Sequence, residues 1–230
     1  MPLPPAARHR RSRAILAVGA LLLAGCPSLL TTGPARTVPQ GETQATIALG
    51  AYRTVLVTES TGGVERYGEW MPLVDGGIRH GLSDGADLGF RLGLGGISLG
   101  PHFQLVRSAS IERGVDVLLE PTLGVTGVLP SANGGLVSGG YLSLAVALGV
   151  NLGQGNQLVL TPRLAAVSDR FLGRYLLPGG SAALVIRVAG TDYRPWLVIP
   201  ECGTAPVVGG SVSSFDGPVV QCALGLAGPY

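Results

Sequence analysis

Asp87-Leu88-Gly89-Phe90-Arg91-Leu92-Gly93-Leu94 decides the fold of this chain, because every even position is bulky and apolar and every odd one is charged or glycine. A period of two belongs to a strand whose two faces meet different surroundings. Val115 to Val125 repeats the pattern with its apolar residues on odd positions, and Leu142 to Val150 repeats it without any charge. Ala182 to Val188 and Val220 to Leu226 continue it. No helix of useful length is visible.

Working outward from these runs, the alternation predicts ten strands, at approximately 42–53, 69–80, 86–95, 97–107, 113–127, 139–150, 156–167, 180–190, 194–202 and 217–228. The connections fall into two classes. Residues 81–85, 108–112, 151–155 and 191–193 are short, while 54–68, 128–138, 168–179 and 203–216 are long. The two classes alternate along the chain, apart from a tight break at Gly95-Gly96. Short turns at one end and longer loops at the other are the asymmetry of a membrane barrel. Pro72, Pro101, Pro121 and Pro162 argue against closure, since each removes a ladder donor and a closed barrel has no free edge.

Composition points the same way. Charged residues are 13% of the chain, about half of the roughly 25% typical of globular proteins, and mean hydropathy is +0.41. Past residue 25 no apolar run approaches the ~20 residues of a spanning helix. Apolar composition without spanning helices is what membrane β-barrels have. The strand face opposite the bulky one is small: Ser143, Ala145, Ala147 and Gly149 on one strand, Ala223, Gly225 and Ala227 on another. Such residues suit a narrow interior. Tyr52, Tyr67, Trp70, Tyr141, Tyr193, Trp196 and Tyr230 fall near predicted strand ends, where aromatic girdles collect.

Ahead of the barrel, Arg8, Arg10, Arg11 and Arg13 precede the apolar run Ala14 to Gly25. A basic head, a short apolar middle and small residues before a cut describe an export signal. Its tail, Leu23-Ala24-Gly25-Cys26, resembles the lipobox of bacterial lipoproteins. That resemblance implies cleavage before Cys26, a diacylglycerol thioether on its sulfur and an acylated (palmitate-bearing) terminus. Pro27 stands where that family's inner-membrane retention signal carries Asp, which implies the outer membrane of a Gram-negative envelope. The chain therefore divides into a signal peptide (1–25), a lipidated periplasmic tether (26–40) rich in proline, and a barrel domain (41–230). Removing the signal leaves 12 basic residues, all arginine, against 14 acidic ones, a net of −2 that gives no footing for nucleic acid. Over residues 41–230 the pattern is similar to small outer-membrane β-barrel proteins. Val220, Cys222, Leu224, Leu226, Gly228 and Tyr230, on one parity of the last strand, resemble the C-terminal assembly signal of such barrels, from which Gly228 and Pro229 depart. The resemblance implies the outer-membrane bilayer and the barrel-assembly machinery as partners.

The expected fold is thus all-β, a closed antiparallel up-and-down barrel of about ten strands. Its inward parity collects Glu69 and Gln104 together with the expected charge network Asp75, Arg79, Asp87, Arg91, His102, Asp116, Glu120, Arg163 and Arg187. Two readings stand: a salt-bridged network that fills the lumen, or a polar pathway lined by Arg79, Arg91 and Arg187. Buried charge persists only when paired. Cys202 and Cys222 either pair in the oxidising envelope or remain buried thiols. No phosphate loop, nucleophile elbow or metal spacing appears in the sequence, so neither catalytic residue nor metal nor cofactor is expected. His102 near Asp75 or Asp87 is the one acid–base arrangement the pattern permits. The expected role is a non-enzymatic one in the envelope: structural, surface contact, or limited passage of small solutes. The alternative is a lipid-tethered soluble periplasmic barrel with the bulky face inward, enclosing an apolar ligand among Phe90, Leu92, Leu144, Leu148 and Ile186.

Overall fold

The alternating runs become the staves of a closed antiparallel barrel. The computed structural model describes residues 28–60, 63–68, 70–126, 139–170, 173–191, 194–209 and 217–229. Its strands are β1 (Thr43–Arg53), β2 (Leu56–Ser60), β3 (Gly63–Tyr67), β4 (Trp70–Ser83), β5 (Ala86–Gly93), β6 (Gly96–Val106), β7 (Gly114–Thr126), β8 (Gly139–Gly153), β9 (Asn156–Asp169), β10 (Gly173–Gly190), β11 (Pro195–Ala205) and β12 (Val219–Pro229). Ten of them close the barrel in chain order from β4 to β12, and β1 seals it by pairing with both β4 and β12. β2 and β3 form a separate hairpin inside what the sequence presents as a plain connection. The other departure is β10. It begins at Gly173 and reduces the expected loop 168–179 to three residues, 170–172.

Two rims result. The turn rim carries the connections at 84–85, 107–113, 154–155 and 191–194, and the loop rim carries 54–69, 94–95, 127–138, 170–172 and 206–218. Gln154 (φ 56°) and Gly155 (φ 76°) show why the turn rim is tight: positive φ at both central residues is the type I′ geometry that matches strand twist. Register irregularities at Gly81/Ser83, Gln104/Val106, Asn151/Gly153 and Arg187/Ala189 all lie toward this rim.

The prolines fit without an edge. Pro101 and Pro121 fall opposite each other where the β6–β7 pairing lapses between Leu99↔Leu123 and Phe103↔Leu119. Two missing donors therefore share one gap. Pro162 likewise faces the lapse between Ala145↔Arg163 and Leu148↔Leu160. Pro72 pairs with Ala51 on one side, and on the other it lies beyond the end of the β4–β5 register, which starts at Asp75↔Gly93. Each absent N–H points where no ladder bond is made.

Bulky apolar side chains face outward. Ile47, Leu49, Ile78, Phe90, Leu92, Leu142, Leu144, Leu160, Leu224 and Leu226 are all exposed, Leu92 at 52%. A shared internal cavity among Phe90, Leu92, Leu144, Leu148 and Ile186 is thereby corrected: the first four are exposed, and Ile186 shares the outward parity of exposed Leu184. Trp70 and Trp196 stand outward near opposite rims. Tyr52 and Tyr141, expected at the membrane interfaces, instead point into the lumen and are buried. Glu69, Tyr193 and Tyr230 lie outside the described residues, as does the side chain of Tyr67.

The expected tether is also elsewhere. Residues 28–40 run down the inside of the barrel, with Leu29 and Leu30 buried among side chains near the loop rim and Gln40 bridged to Gly81 near the turn rim. The signal peptide 1–25 and Cys26 lie outside the described residues.

Candidate functional site: a lumen filled by a threaded segment

An extended segment inside a barrel has no ladder partner, so its amides and carbonyls must find bonds elsewhere. The wall supplies them from side chains on its inward parity. The amides of Thr31 and Thr32 donate to the two carboxylate oxygens of Glu201 at 2.9 and 2.8 Å. Leu29 donates to Gln221, Ala35 to Gln157, Thr37 to Gln104 and Val38 to Asp87, each at 2.8 Å. Arginines take the carbonyls: Arg163 donates to Ser28, Arg91 to Leu30 and Arg79 to Arg36. Gln104 also donates to the Ala35 carbonyl at 3.1 Å.

The ionic groups are paired as well. Arg79 meets Asp87 at 2.6 Å, Arg91 meets Asp75 at 2.5 Å, and Glu120 stands 3.7 Å from Arg163. His102 Nδ1 lies 2.5 Å from the Asp87 oxygen Oδ1. Asp116 is satisfied by an arginine that belongs to the threaded segment itself, Arg36, at 2.7 Å, and by Asn151 and Gln157. Eight of the nine expected lumen residues (Asp75, Arg79, Asp87, Arg91, His102, Asp116, Glu120, Arg163) thus come together inside. The ninth, Arg187, keeps the parity of buried Val185 but lies apart from them at the turn rim, half-buried, where it lines a hollow and donates to the Gly190 carbonyl.

Apolar contacts complete the fill. Leu29 lies in one buried cluster with Tyr141, Val167, Tyr175, Leu177 and Val219, Leu30 in another with Ala48, Tyr52, Leu73 and Ala223, and Ala35 in a third with Leu118, Val159, Val185 and Ile199. Close approach demands small wall residues. A Cβ on Gly81 would collide with the Pro39 carbonyl, whereas one on Gly225 would stand in ordinary contact, 3.8 Å from the Thr32 Cβ. Thr32 itself takes φ 48°, a strained setting for a β-branched residue, held by its amide bond to Glu201.

Open space among the described residues includes a mid-lumen chamber of about 40 Å3, beside Thr32, Arg91, His102, Glu120 and Arg163, and a larger hollow of about 630 Å3 at the turn rim. Arg79 and Arg91 line the first and Arg187 the second, with the threaded segment between them, so the three do not form one pathway. The Asp87–His102 pair is also engaged by Arg79 and the Val38 amide. Among the described residues, no group of three or more His, Cys, Asp or Glu is placed to hold a metal ion. Cys202 and Cys222 are bonded to each other across β11 and β12, Cα to Cα 4.1 Å, on the outward parity.

The wall carboxylate that grips the segment most, Glu201, was not among the expected residues; nor were Gln157, Gln221 and Arg36. Their sequence signal was polarity on an inward-facing position, or, for Arg36, a lone charge in a proline-rich stretch.

No family model matches the chain, and no curated protein matches it in sequence. Among solved structures it is similar to the outer membrane protease OmpT of Escherichia coli, at 10% identity and TM-score 0.42, over 82% of this chain and 97% of that one. It is also similar to Ail, the attachment invasion locus protein of Yersinia pestis (10%, TM-score 0.27, 83% and 99%), and to the outer membrane protein OprG of Pseudomonas aeruginosa (9%, TM-score 0.29, 83% and 98%). These likenesses concern barrel shape alone.

Proposed function

We propose that this chain is an integral outer-membrane barrel, assembled by the barrel-assembly machinery and stoppered by its own N-terminal segment. Its role in the envelope is structural or one of surface contact, rather than catalytic. The observation that carries the reading is the pair Arg91 and Leu92: the arginine is turned in against Asp75 and the threaded chain, while the leucine stands outward in an exposed apolar belt. A water-facing skin of Leu, Ile, Val and Phe would be an apolar patch far larger than the few hundred Å2 that soluble proteins expose. Hydrocarbon makes it favourable. The same side chains that satisfy the segment leave little free lumen, so solute passage is the least supported of the envelope roles. Acylation of Cys26 belongs to the same reading, on the strength of Leu23-Ala24-Gly25-Cys26 after a basic, apolar leader.

The test is alkaline carbonate extraction of membranes from cells producing a Cys26→Ala variant. The barrel is expected to stay in the pellet without its lipid; release into the supernatant would show a tethered soluble domain and end the proposal.

A further inference from the structure

The direction of the threaded segment carries a consequence for the protein's topology. Leu29 donates to Gln221, two residues into β12 and therefore at the loop rim, whereas Gly41 bonds Gly81 at the turn rim, where β1 begins. Ser28 and Gln40 are twelve positions apart, and in extended form that chain spans ~40 Å, enough to cross the whole lumen. Ser28 lines a small hollow with Gly93, Gly95 and Gly96, so it stands level with the β5–β6 turn, a connection of only two residues, 94 and 95, on the loop rim.

We infer that the mature N-terminus is displayed on the cell surface, and that acyl chains on Cys26 enter the outer leaflet over this low rim. The inference rests on the acylation proposed above and deepens it by assigning the leaflet. The path is short: Cys26 is two residues from Ser28, at most ~7 Å of chain, and Leu94 at the rim is exposed and apolar. To reach the opposite leaflet the terminus would have to re-enter a lumen already filled.

The experiment places a short epitope between Pro27 and Ser28 of the full chain, with reference epitopes at Gly85 on the turn rim and Gly209 on the loop rim. Each protein also carries the cysteine pair Thr32→Cys and Gly225→Cys, whose oxidation reports that the segment is threaded, and is labelled with palmitate in cells. The expected result is acyl label, the Thr32–Gly225 cross-link, and antibody access on intact cells equal to that of the Gly209 epitope. Label and cross-link with access only after the outer membrane is breached, as at Gly85, overturns the topology. Label without cross-link overturns threading. Absence of label overturns the acyl part through the acylation reading itself; the epitope then still reports on which side the terminus emerges.

Discussion

Four hydrogen bonds converge on Glu201, from the Thr31 amide and hydroxyl, the Thr32 amide and the Ser181 hydroxyl, all in a buried site. Removing a buried carboxylate strands those donors. Glu201→Ala is expected to cost about 3–5 kcal/mol, and Glu201→Gln, which keeps an acceptor, about 1–3 kcal/mol. Urea unfolding followed by the shift in gel mobility of unheated samples measures both; equal, small effects would mean that the segment is held by packing alone. Arg91→Ala should be as severe as Glu201→Ala, since it leaves Asp75 and the Leu30 carbonyl without their arginine. At this scale the sequence was half legible. Parity placed Asp75, Arg91 and Asp116 inside, because alternation fixes a side chain's face from its number alone. It did not reveal that Arg91 also holds the Leu30 carbonyl, a backbone group with no side-chain signature, or that Asp116 takes its arginine, Arg36, from the threaded segment.

The strands are the most legible elements, and the threaded segment the least. Nine of the ten barrel strands start within three residues of where alternation puts them; β10 starts seven residues early, at Gly173, because the stretch up to Pro178 and Gly179 reads as a loop. Yet Pro178 pairs with Leu164 in an unbroken β9–β10 register. Residues 28–40 read as a tether since prolines without period describe a free linker, and only wall side chains make them a core element. Oxidising the Thr32→Cys, Gly225→Cys variant should give a cross-linked band that survives denaturation, the two Cβ atoms standing 3.8 Å apart, near the usual span of a disulfide. No cross-link in folded protein would place the segment outside. The native Cys202–Cys222 bond ties β11 to β12 with a sequence separation of 20. Loop-closure entropy puts its loss at about 3 kcal/mol, so Cys202→Ser with Cys222→Ser should lower unfolding resistance yet leave a closed, heat-modifiable barrel.

For the whole molecule, the decisive quantity is whether the lumen conducts. Full-length protein in a planar bilayer is expected to show no stable conductance steps. Leu29→Ala combined with Leu30→Ala empties two apolar sockets near the loop rim, at about 2–5 kcal/mol each, and should introduce intermittent openings. Steady conductance by the unaltered protein would refute the stoppered barrel; a variant as silent as the parent would show that the polar bonds suffice to hold the segment. Either result is read against carbonate extraction of the same proteins, which reports membrane insertion separately.

The sequence by itself determined the barrel: period-two alternation fixes which residues share a face, and scarce charge with a surplus of Leu and Val selects closure over an open sheet. It also placed eight of the ions that lie within, though not Glu201 or Arg36. Only the tertiary structure decided what those ions hold, because a segment that borrows its hydrogen bonds from distant strands has no local period to announce it. Where Pro101 and Pro121 cancel each other's missing donors, the same holds: the compensation exists only once the two strands are side by side.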